Sequence, residues 1–166
     1  MNESKQQNMT FENLWEADSA TYAEEVKSFW ERHNLLDTSI NPDERAKQVV
    51  FKVTSEQDGI AGLSTAFKVR IPQIKHYFFA VRCVLSPDAR IPGLLSKLLV
   101  ETRDFLESLY LKGVEKECIG ITTLVENEDL KKHRREAVWP ASEMAFVGKS
   151  PKGHHIRVYY FKGAKI

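Results

Sequence analysis

The residues best suited to chemistry lie in one stretch, where an apolar run gives way to a helical pattern. The apolar run ends at Leu85, and a few residues later the chain reads Arg90-Ile91-Pro92-Gly93-Leu94-Leu95-Ser96. A strand that leads into a helix N-terminus presents unpaired backbone N–H groups and the positive end of the helix dipole, which together favour an anion. Pro92 suits the first helical turn, where its missing N–H costs least, and Gly93 lets a ligand approach the backbone closely.

We therefore predict a phosphate-binding site in this segment. Its predicted members are the Arg90 side chain and the backbone amides of Ile91, Gly93, Leu94 and Leu95, with Ser96 beside them. A guanidinium group neutralises phosphate through directed, charge-assisted hydrogen bonds. Two other interpretations stay open: Arg90 as a solvated turn residue, and Gly93 as a packing glycine of the first helical turn.

A second candidate position is the end of the apolar run Glu117–Val125, where Glu126 and Asn127 follow directly. For the fold predicted below, Glu126 is the carboxylate best placed to act as a general base. The competing interpretation is an acid at a helix start, where it complements the helix dipole. Asn127 is likewise placed to cap the following helix.

The remaining polar groups predict no metal or nucleophile site. Cys83 lies in an apolar strand pattern without a catalytic motif, and the spacing of His133, His154 and His155 does not match a zinc site. The basic run Lys131–Arg135 is typical of a solvated helix face. Its alternative role is contact with a phosphate-rich partner such as RNA.

Composition restricts the class of protein. The 166 residues are 42% hydrophobic and 28% charged, and the formal net charge is +1, so nucleic acid is an unlikely partner on overall charge. We predict a short disordered N-terminus (residues 1–8) and one domain over residues 9–166. The sequence has no apolar run long enough to span a membrane and no signal peptide, and its two cysteines fit a reduced compartment, so we expect a cytoplasmic protein.

Hydrophobic periodicity gives the order of the elements. We predict a helix over Ser19–Leu36, an antiparallel hairpin over Gln48–Arg70 and a strand over Lys75–Leu85. The next predicted elements are a helix over Pro92–Tyr110 and a strand over Glu117–Val125. They are followed by a helix over Asn127–Ala137 and two strands near Ala145 and His155. The fold class is α+β (α/β/α): one mixed, mostly antiparallel sheet of six to seven strands with helices on both faces.

In this order of elements and in Arg90 and Gly93, the chain resembles the GNAT superfamily of acyl-CoA-dependent N-acyltransferases. The pyrophosphate-binding pattern of that family is Arg/Gln-x-x-Gly-x-Gly/Ala. Arg90 and Gly93 match it, while Leu95 stands where the family has a small residue. Asn127 resembles the family's strand-end Asn, and the resemblance covers nearly the whole chain.

The resemblance implies transfer of an acetyl group from acetyl-CoA to a primary amine, on a small molecule or a protein. It also implies that Val84 and Leu85 offer backbone groups to the pantetheine arm, and that Asn127 belongs to the cofactor site. Two family features are missing: the strand 75–85 carries no Glu or Asp, and no Tyr lies between Asn127 and Phe146. An alternative function therefore stays open, a catalytically degenerate GNAT-fold module that binds a protein or nucleic acid. A homodimer paired through an exposed last strand also stays open.

Overall fold

The computed structural model describes residues 8–57 and 59–166. Its strands are β1 (Met9–Asn13), β2 (Val49–Ser55), β3 (Gly59–Ile71), β4 (His76–Leu85), β5 (Cys118–Val125), β6 (Ala145–Lys149) and β7 (His155–Tyr160). Its α-helices are α1 (Ala23–Arg32), α2 (Pro42–Ala46), α3 (Leu94–Leu111) and α4 (Glu128–His133). The predicted disordered residues lie outside the described residues except for Asn8, which is in a turn.

The seven strands form one mixed sheet in the order β1-β2-β3-β4-β5-β7-β6. The β4–β5 pair is parallel, whereas β1–β2, β2–β3, β5–β7 and β6–β7 are antiparallel. The predicted mixed, mostly antiparallel sheet is thus confirmed. The expectation of an exposed last strand is wrong, because β7 pairs with β5 on one side and with β6 on the other.

The chain divides into two compact units. The first contains the described residues up to Ala66 together with Cys83–Leu99. Its core forms where the apolar stripe of α1, at Val26, Phe29 and Trp30, packs among strand residues such as Val49 and Leu63. These α1 positions recur at steps of three and four residues, which is the spacing of one helix face.

The second unit contains Phe67–Arg82 and Val100–Ile166. A buried cluster there joins Phe78 of β4, Ile119 of β5 and Val158 of β7. Gly120 lets these strands approach, because a Cβ at this position would collide with the carbonyl oxygen of Tyr159 and press on the Phe78 ring. A side chain at position 120 would therefore force β5 and β7 apart.

Two predicted helices are shorter in the structure. The segment from Ser19 begins as a 3-10 turn, and the Asp18 side chain caps it by accepting a hydrogen bond from the Ala20 N–H. Helix α1 follows and ends at Arg32 instead of Leu36. Helix α4 ends at His133 instead of Ala137. Its end is fixed by the Arg134 carbonyl, which accepts hydrogen bonds from Trp139 Nε1 and from an arginine of β7.

Candidate functional site

The segment between β4 and α3 is a chain of tight turns in the first unit. After a 3-10 turn over Pro87–Ala89, Arg90 has φ −76° and ψ 59°, the geometry of an inverse γ-turn. The Ile91 N–H accordingly donates to the Ala89 carbonyl at 2.8 Å. The Arg90 side chain is exposed and forms no ion pair with a carboxylate of residues 8–57 or 59–166.

Helix α3 begins at Leu94, directly after Gly93, and not at Pro92. The Lys97 N–H donates to the Gly93 carbonyl at 2.9 Å, which is the first bond of the helical ladder, and Leu94 is the first helical residue. The φ of Gly93 is +83°, in the left-handed region that favours glycine. The prediction that Pro92 occupies the first helical turn is therefore wrong. Pro92 lies in the turn before it, because a residue at positive φ must reorient the chain before the helix can start.

Not all of the predicted phosphate-binding amides point outward. The Ile91 N–H is used in the γ-turn, and the Leu94 N–H donates to the Ile91 carbonyl at 3.3 Å. Of the predicted set, this leaves the N–H groups of Gly93 and Leu95 as donors at the positive end of the helix dipole. Gly93 is exposed, and Leu95 and Ser96 are half-buried.

The end of β4 is held against β3 in the same unit. The Ser86 N–H donates to the Ala61 carbonyl at 2.8 Å, and Leu85 is buried while Val84 is half-buried. A Cβ on Gly62 would lie 2.6 Å from Leu85 Cδ2 and 3.0 Å from the Val84 carbonyl oxygen. The absence of a side chain at Gly62 is thus what allows the predicted pantetheine-binding end of β4 to pack closely on β3.

Glu126 and Asn127 lie in the second unit, directly after β5. Both residues are exposed. The Asn127 side-chain oxygen accepts hydrogen bonds from the N–H groups of Asp129 and Leu130, at 2.9 and 3.1 Å, so Asn127 is the N-cap of α4. Its NH₂ group remains available as a donor, and the Glu126 carboxylate forms no ion pair among the described residues.

The thiols and imidazoles behave as structural groups. Burial raises the pKa of the Cys83 thiol to about 12, and burial followed by the charge of Glu115 does the same for Cys118. A thiol with this pKa is almost entirely protonated near neutral pH and is a poor nucleophile. Within residues 8–57 and 59–166, no group of three or more His, Cys, Asp or Glu side chains has a metal-binding arrangement.

The sequence analysis missed a buried arginine in β7. Arg157 is 1% exposed, and its guanidinium donates to the carbonyls of Arg134, Ala137 and Met144. The same group lies over the Trp139 ring, 4.3 Å from its centroid. Burial lowers the pKa of Arg157 from its usual value, and no carboxylate among the described residues forms an ion pair with it. Arg157 therefore fixes the segment 134–144 to β7 through backbone carbonyls.

A second network that the sequence analysis missed joins α3 to β7. The Tyr159 hydroxyl donates to Glu107 Oε2 at 2.7 Å, and the Lys162 N–H donates to the same oxygen at 3.0 Å. Arg103, one helical turn before Glu107, lies over the Tyr159 ring and donates to the Ser142 carbonyl at 2.7 Å. The sequence of β7 did contain a signal for these two networks. Arg157 and Tyr159 are two residues apart, so their polar groups lie on the same face of the strand.

Several solved structures with a similar fold are acetyltransferases. A GNAT-family acetyltransferase from Streptococcus pneumoniae is 13% identical, with 92% of this chain and 99% of that chain covered and a TM-score of 0.61. A ribosomal-protein-S5-alanine acetyltransferase from Vibrio fischeri is also 13% identical, with 96% of each chain covered and a TM-score of 0.62. The chain has the GNAT acetyltransferase fold.

A further match with the GNAT fold was solved with a bound ligand. The phosphinothricin acetyltransferase from Sinorhizobium meliloti, in complex with acetyl-CoA, is 14% identical, with 95% of this chain and 92% of that chain covered and a TM-score of 0.62. No protein-family model matches the sequence, and no curated protein matches it either. No helix of the described residues is long and apolar enough to cross a bilayer.

Proposed function

We propose that this GNAT-fold chain is an N-acyltransferase that moves an acetyl group from acetyl-CoA to a primary amine. The observation that carries the proposal is the N-terminus of α3, an 18-residue helix that begins at an exposed glycine with positive φ, three residues after the exposed and unpaired Arg90. This arrangement suits a diphosphate, because it combines backbone donors, the helix dipole and a mobile cation. The fold it belongs to binds acetyl-CoA in the Sinorhizobium enzyme.

In this proposal, residues at the end of β4 and the start of α3 bind acetyl-CoA. The Arg90 guanidinium and the N–H groups of Gly93 and Leu95 hold the diphosphate, with Ser96 beside them. The backbone of Val84 and Leu85 at the end of β4 faces the pantetheine arm. Leu95 narrows the phosphate site relative to the small residue that the family has there, so we expect weaker binding than a glycine at this position would give.

The reaction forms a C–N bond to the acceptor amine and breaks the C–S bond of the thioester. The amine must lose a proton, and Glu126 is the proposed base, acting directly or through water. Its carboxylate is exposed and forms no ion pair among the described residues, so it is available to accept that proton. The leaving thiolate takes a proton from solvent, since the family's usual tyrosine has no counterpart between Asn127 and Phe146.

Calorimetric titration of acetyl-CoA and CoA into the wild type tests the proposal. Arg90→Ala should weaken binding by about tenfold or more, since a hydrogen bond to a charged group contributes about 1.5–3 kcal/mol. Arg70→Ala is the matched control, because Arg70 is also exposed and forms no ion pair with a described carboxylate. Absence of binding at millimolar ligand, or equal losses in both variants, would contradict the proposed cofactor site.

The second candidate function is a catalytically degenerate GNAT-fold module that binds a macromolecule. The observation that favours it is the internal use of the Ile91 and Leu94 amides, which removes two of the predicted phosphate donors. The two functions differ in turnover. Release of free CoA in a mixture of amines, reduced by about tenfold in Arg90→Ala at low acetyl-CoA, supports the enzyme, whereas a chain that neither binds CoA nor releases it supports the binding module.

A further inference from the structure

The charge of this chain is distributed very unevenly. Residues 131–166 contain nine Lys and Arg against two Glu, while residues 1–130 contain 15 Lys and Arg against 21 Asp and Glu. The formal net charge of +1 is therefore the sum of a strongly basic C-terminal part and an acidic remainder. A separation of this kind indicates a local electrostatic surface that the total charge conceals.

The fold brings cations from separate parts of this basic segment together within the second unit. Lys131 of α4 places its Nζ 3.5 Å from Nδ1 of His154, in the turn between β6 and β7. Lys149 is the strand partner of His155. Burial and then the positive charges of Lys149, Arg157, Lys131 and Arg135 lower the pKa of His155, so the neighbourhood of this imidazole is cationic.

Several of these cations have no anionic partner in the fold. Lys131 pairs with Glu128 at 2.6 Å, and Arg134 lies 3.9 Å from Glu136. Four exposed cations, in contrast, form no ion pair with any carboxylate of the described chain: Lys132, Arg135, Lys149 and Lys152. With Glu128 and Asp129 of α4 counted, residues 128–166 still contain nine Lys and Arg against four Asp and Glu, an excess of positive charge that an external anion can neutralise.

An exposed aromatic ring lies on β6, the strand that also carries Lys149. Phe146 of the edge strand β6 is 41% exposed, and its ring contacts His155 edge-to-face with centroids 5.2 Å apart. Phe146 is the strand partner of Arg157, which Trp139 and three carbonyls hold in place, so its backbone is fixed. An acidic protein partner would bind through the positive charges alone and would not require an exposed ring. A flat exposed ring among unpaired cations also suits nucleobases, which stack on aromatic side chains while the phosphates contact Lys and Arg.

We propose that α4, the residues that follow it to Arg135, and the β6–β7 hairpin form a binding surface for single-stranded nucleic acid. Lys132, Arg135, Lys149 and Lys152 contact the phosphates and Phe146 stacks on a base. The expectation that nucleic acid is an unlikely partner rested on the total charge, which does not describe this surface. The proposal does not depend on CoA binding, and it is tested without that ligand.

Fluorescence anisotropy with a labelled oligouridine and a labelled oligothymidine tests the surface and shows whether RNA or DNA is preferred. With about four phosphate contacts and a slope of about −0.7 per contact, the Kd should rise about 50-fold when salt increases from about 50 to about 200 mM. Lys132→Glu with Lys149→Glu should remove at least half of this slope. Lys112→Glu with Lys116→Glu is the matched control, since both lysines are exposed and carry the same charge change.

Phe146→Leu separates stacking from charge, because it keeps an apolar side chain and every cation. Loss of one stacked base should weaken binding about fivefold or more without changing the salt slope. Circular dichroism melting of each variant verifies that it is folded. The proposal is overturned by wild-type affinity in the double lysine variant, by equal losses in the control pair, or by an unchanged Kd in Phe146→Leu. Two competition results would also overturn it. Binding of polyglutamate as tight as that of the oligonucleotides would indicate an acidic protein partner, and displacement of the oligonucleotides by CoA would assign the surface to the cofactor.

Discussion

The hydrogen bond between Tyr159 and Glu107 allows a substitution that removes one interaction and little else. Tyr159 is 9% exposed and Glu107 is 6% exposed, so water does not replace a lost partner easily. Tyr159→Phe keeps the ring, which contacts Phe161 and lies under the Arg103 guanidinium. It deletes only the hydroxyl that donates to Glu107 Oε2 at 2.7 Å. The carboxylate oxygen then retains the Lys162 N–H as a donor.

A hydrogen bond to a charged group contributes about 1.5–3 kcal/mol, so Tyr159→Phe should lower the free energy of unfolding by about 2 kcal/mol. The retained Lys162 N–H keeps the loss below the cost of an unsatisfied buried carboxylate. For a chain of this size, about 2 kcal/mol corresponds to a decrease in Tm of about 4–8 °C. No cavity contributes, because phenylalanine fills the same volume.

The effect should depend on pH with a defined sign. Burial, followed by the hydrogen bond to Glu107 and the charge of Glu107, raises the pKa of Tyr159 from 10.0 to about 12. Below pH 10 both the folded and the unfolded wild type hold the proton, so the stabilisation is complete. Between about pH 10 and pH 12 the unfolded chain loses its proton first, and wild-type stability falls. Since Tyr159→Phe cannot ionise here, the difference between the two proteins should shrink by about 1.4 kcal/mol at about pH 11.

Urea unfolding followed by tryptophan fluorescence, near neutral pH and at about pH 11, measures both quantities. Tyr160→Phe is the control, because Tyr160 is the next residue of β7, is 44% exposed and makes an aromatic contact with Phe78 that phenylalanine preserves. The reasoning is refuted if Tyr159→Phe costs less than about 0.5 kcal/mol near neutral pH, a value within the range of ordinary surface substitutions. A difference that stays constant or grows toward about pH 11 would refute the assigned pKa.

Three further predictions concern the other buried and capping groups. Burial raises the pKa of Cys83 and Cys118 to about 12, so both thiols should react with a disulfide reagent at about pH 8 about a thousandfold more slowly than free cysteine. Unfolding in urea should restore the rate, and a rapid phase in the native protein would contradict this prediction. Gly120→Ala should lower the free energy of unfolding by about 1–3 kcal/mol or more through overpacking, and an unchanged urea midpoint would show that β5 and β7 can separate. Asn127→Ala should cost about 1 kcal/mol by removing the cap of α4, whereas Asn127→Asp keeps the cap. Both variants lose the NH₂ donor, so weaker CoA binding in both would assign that donor to the cofactor, and weaker binding in the Asp variant alone would indicate repulsion by the added charge.

The elements that sequence patterns predicted well are those whose signals are local. The β2–β3 hairpin follows from two β-branched runs separated by a turn, and Gly59 has the expected positive φ of +77°. Helix α3 follows from its apolar stripe and ends as expected, with Gly113 at φ +76° and the Val114 N–H bonded to the Leu109 carbonyl. Each of these features is set by residues within a few positions of one another.

The position of β7 depended on pairing between distant residues, which the pattern did not specify. A final strand with alternating apolar residues fits an edge or an interior position equally well. The interior position is consistent with the burial of Val158 and Tyr159 on opposite faces of the strand. That pairing also explains why Arg157 is buried, since its own strand lies between two others and the 134–144 segment supplies carbonyls to its guanidinium.

The candidate phosphate site shows a different limit to prediction from the sequence. The residue types of Arg90 and Gly93 follow from the sequence, but the use of each amide depends on turn geometry. An inverse γ-turn at Arg90 uses the Ile91 N–H, and a four-residue turn that starts at Ile91 uses the Leu94 N–H. A motif therefore identifies where donors are concentrated, whereas the backbone conformation decides which of them can reach a ligand.

Total charge is a poor guide to nucleic-acid binding in a chain of this kind for a physical reason. At physiological ionic strength the potential of an exposed charge decays over a Debye length of about 8 Å, so an oligonucleotide responds to the cations near it and little to distant carboxylates. The 21 acidic residues among positions 1–130 cancel the basic segment in the sum. Only the carboxylates within about that distance can offset Lys149 or Arg135, and no described carboxylate forms an ion pair with either cation. A net charge of +1 is therefore compatible with a surface that binds phosphate, provided that binding weakens steeply as salt increases.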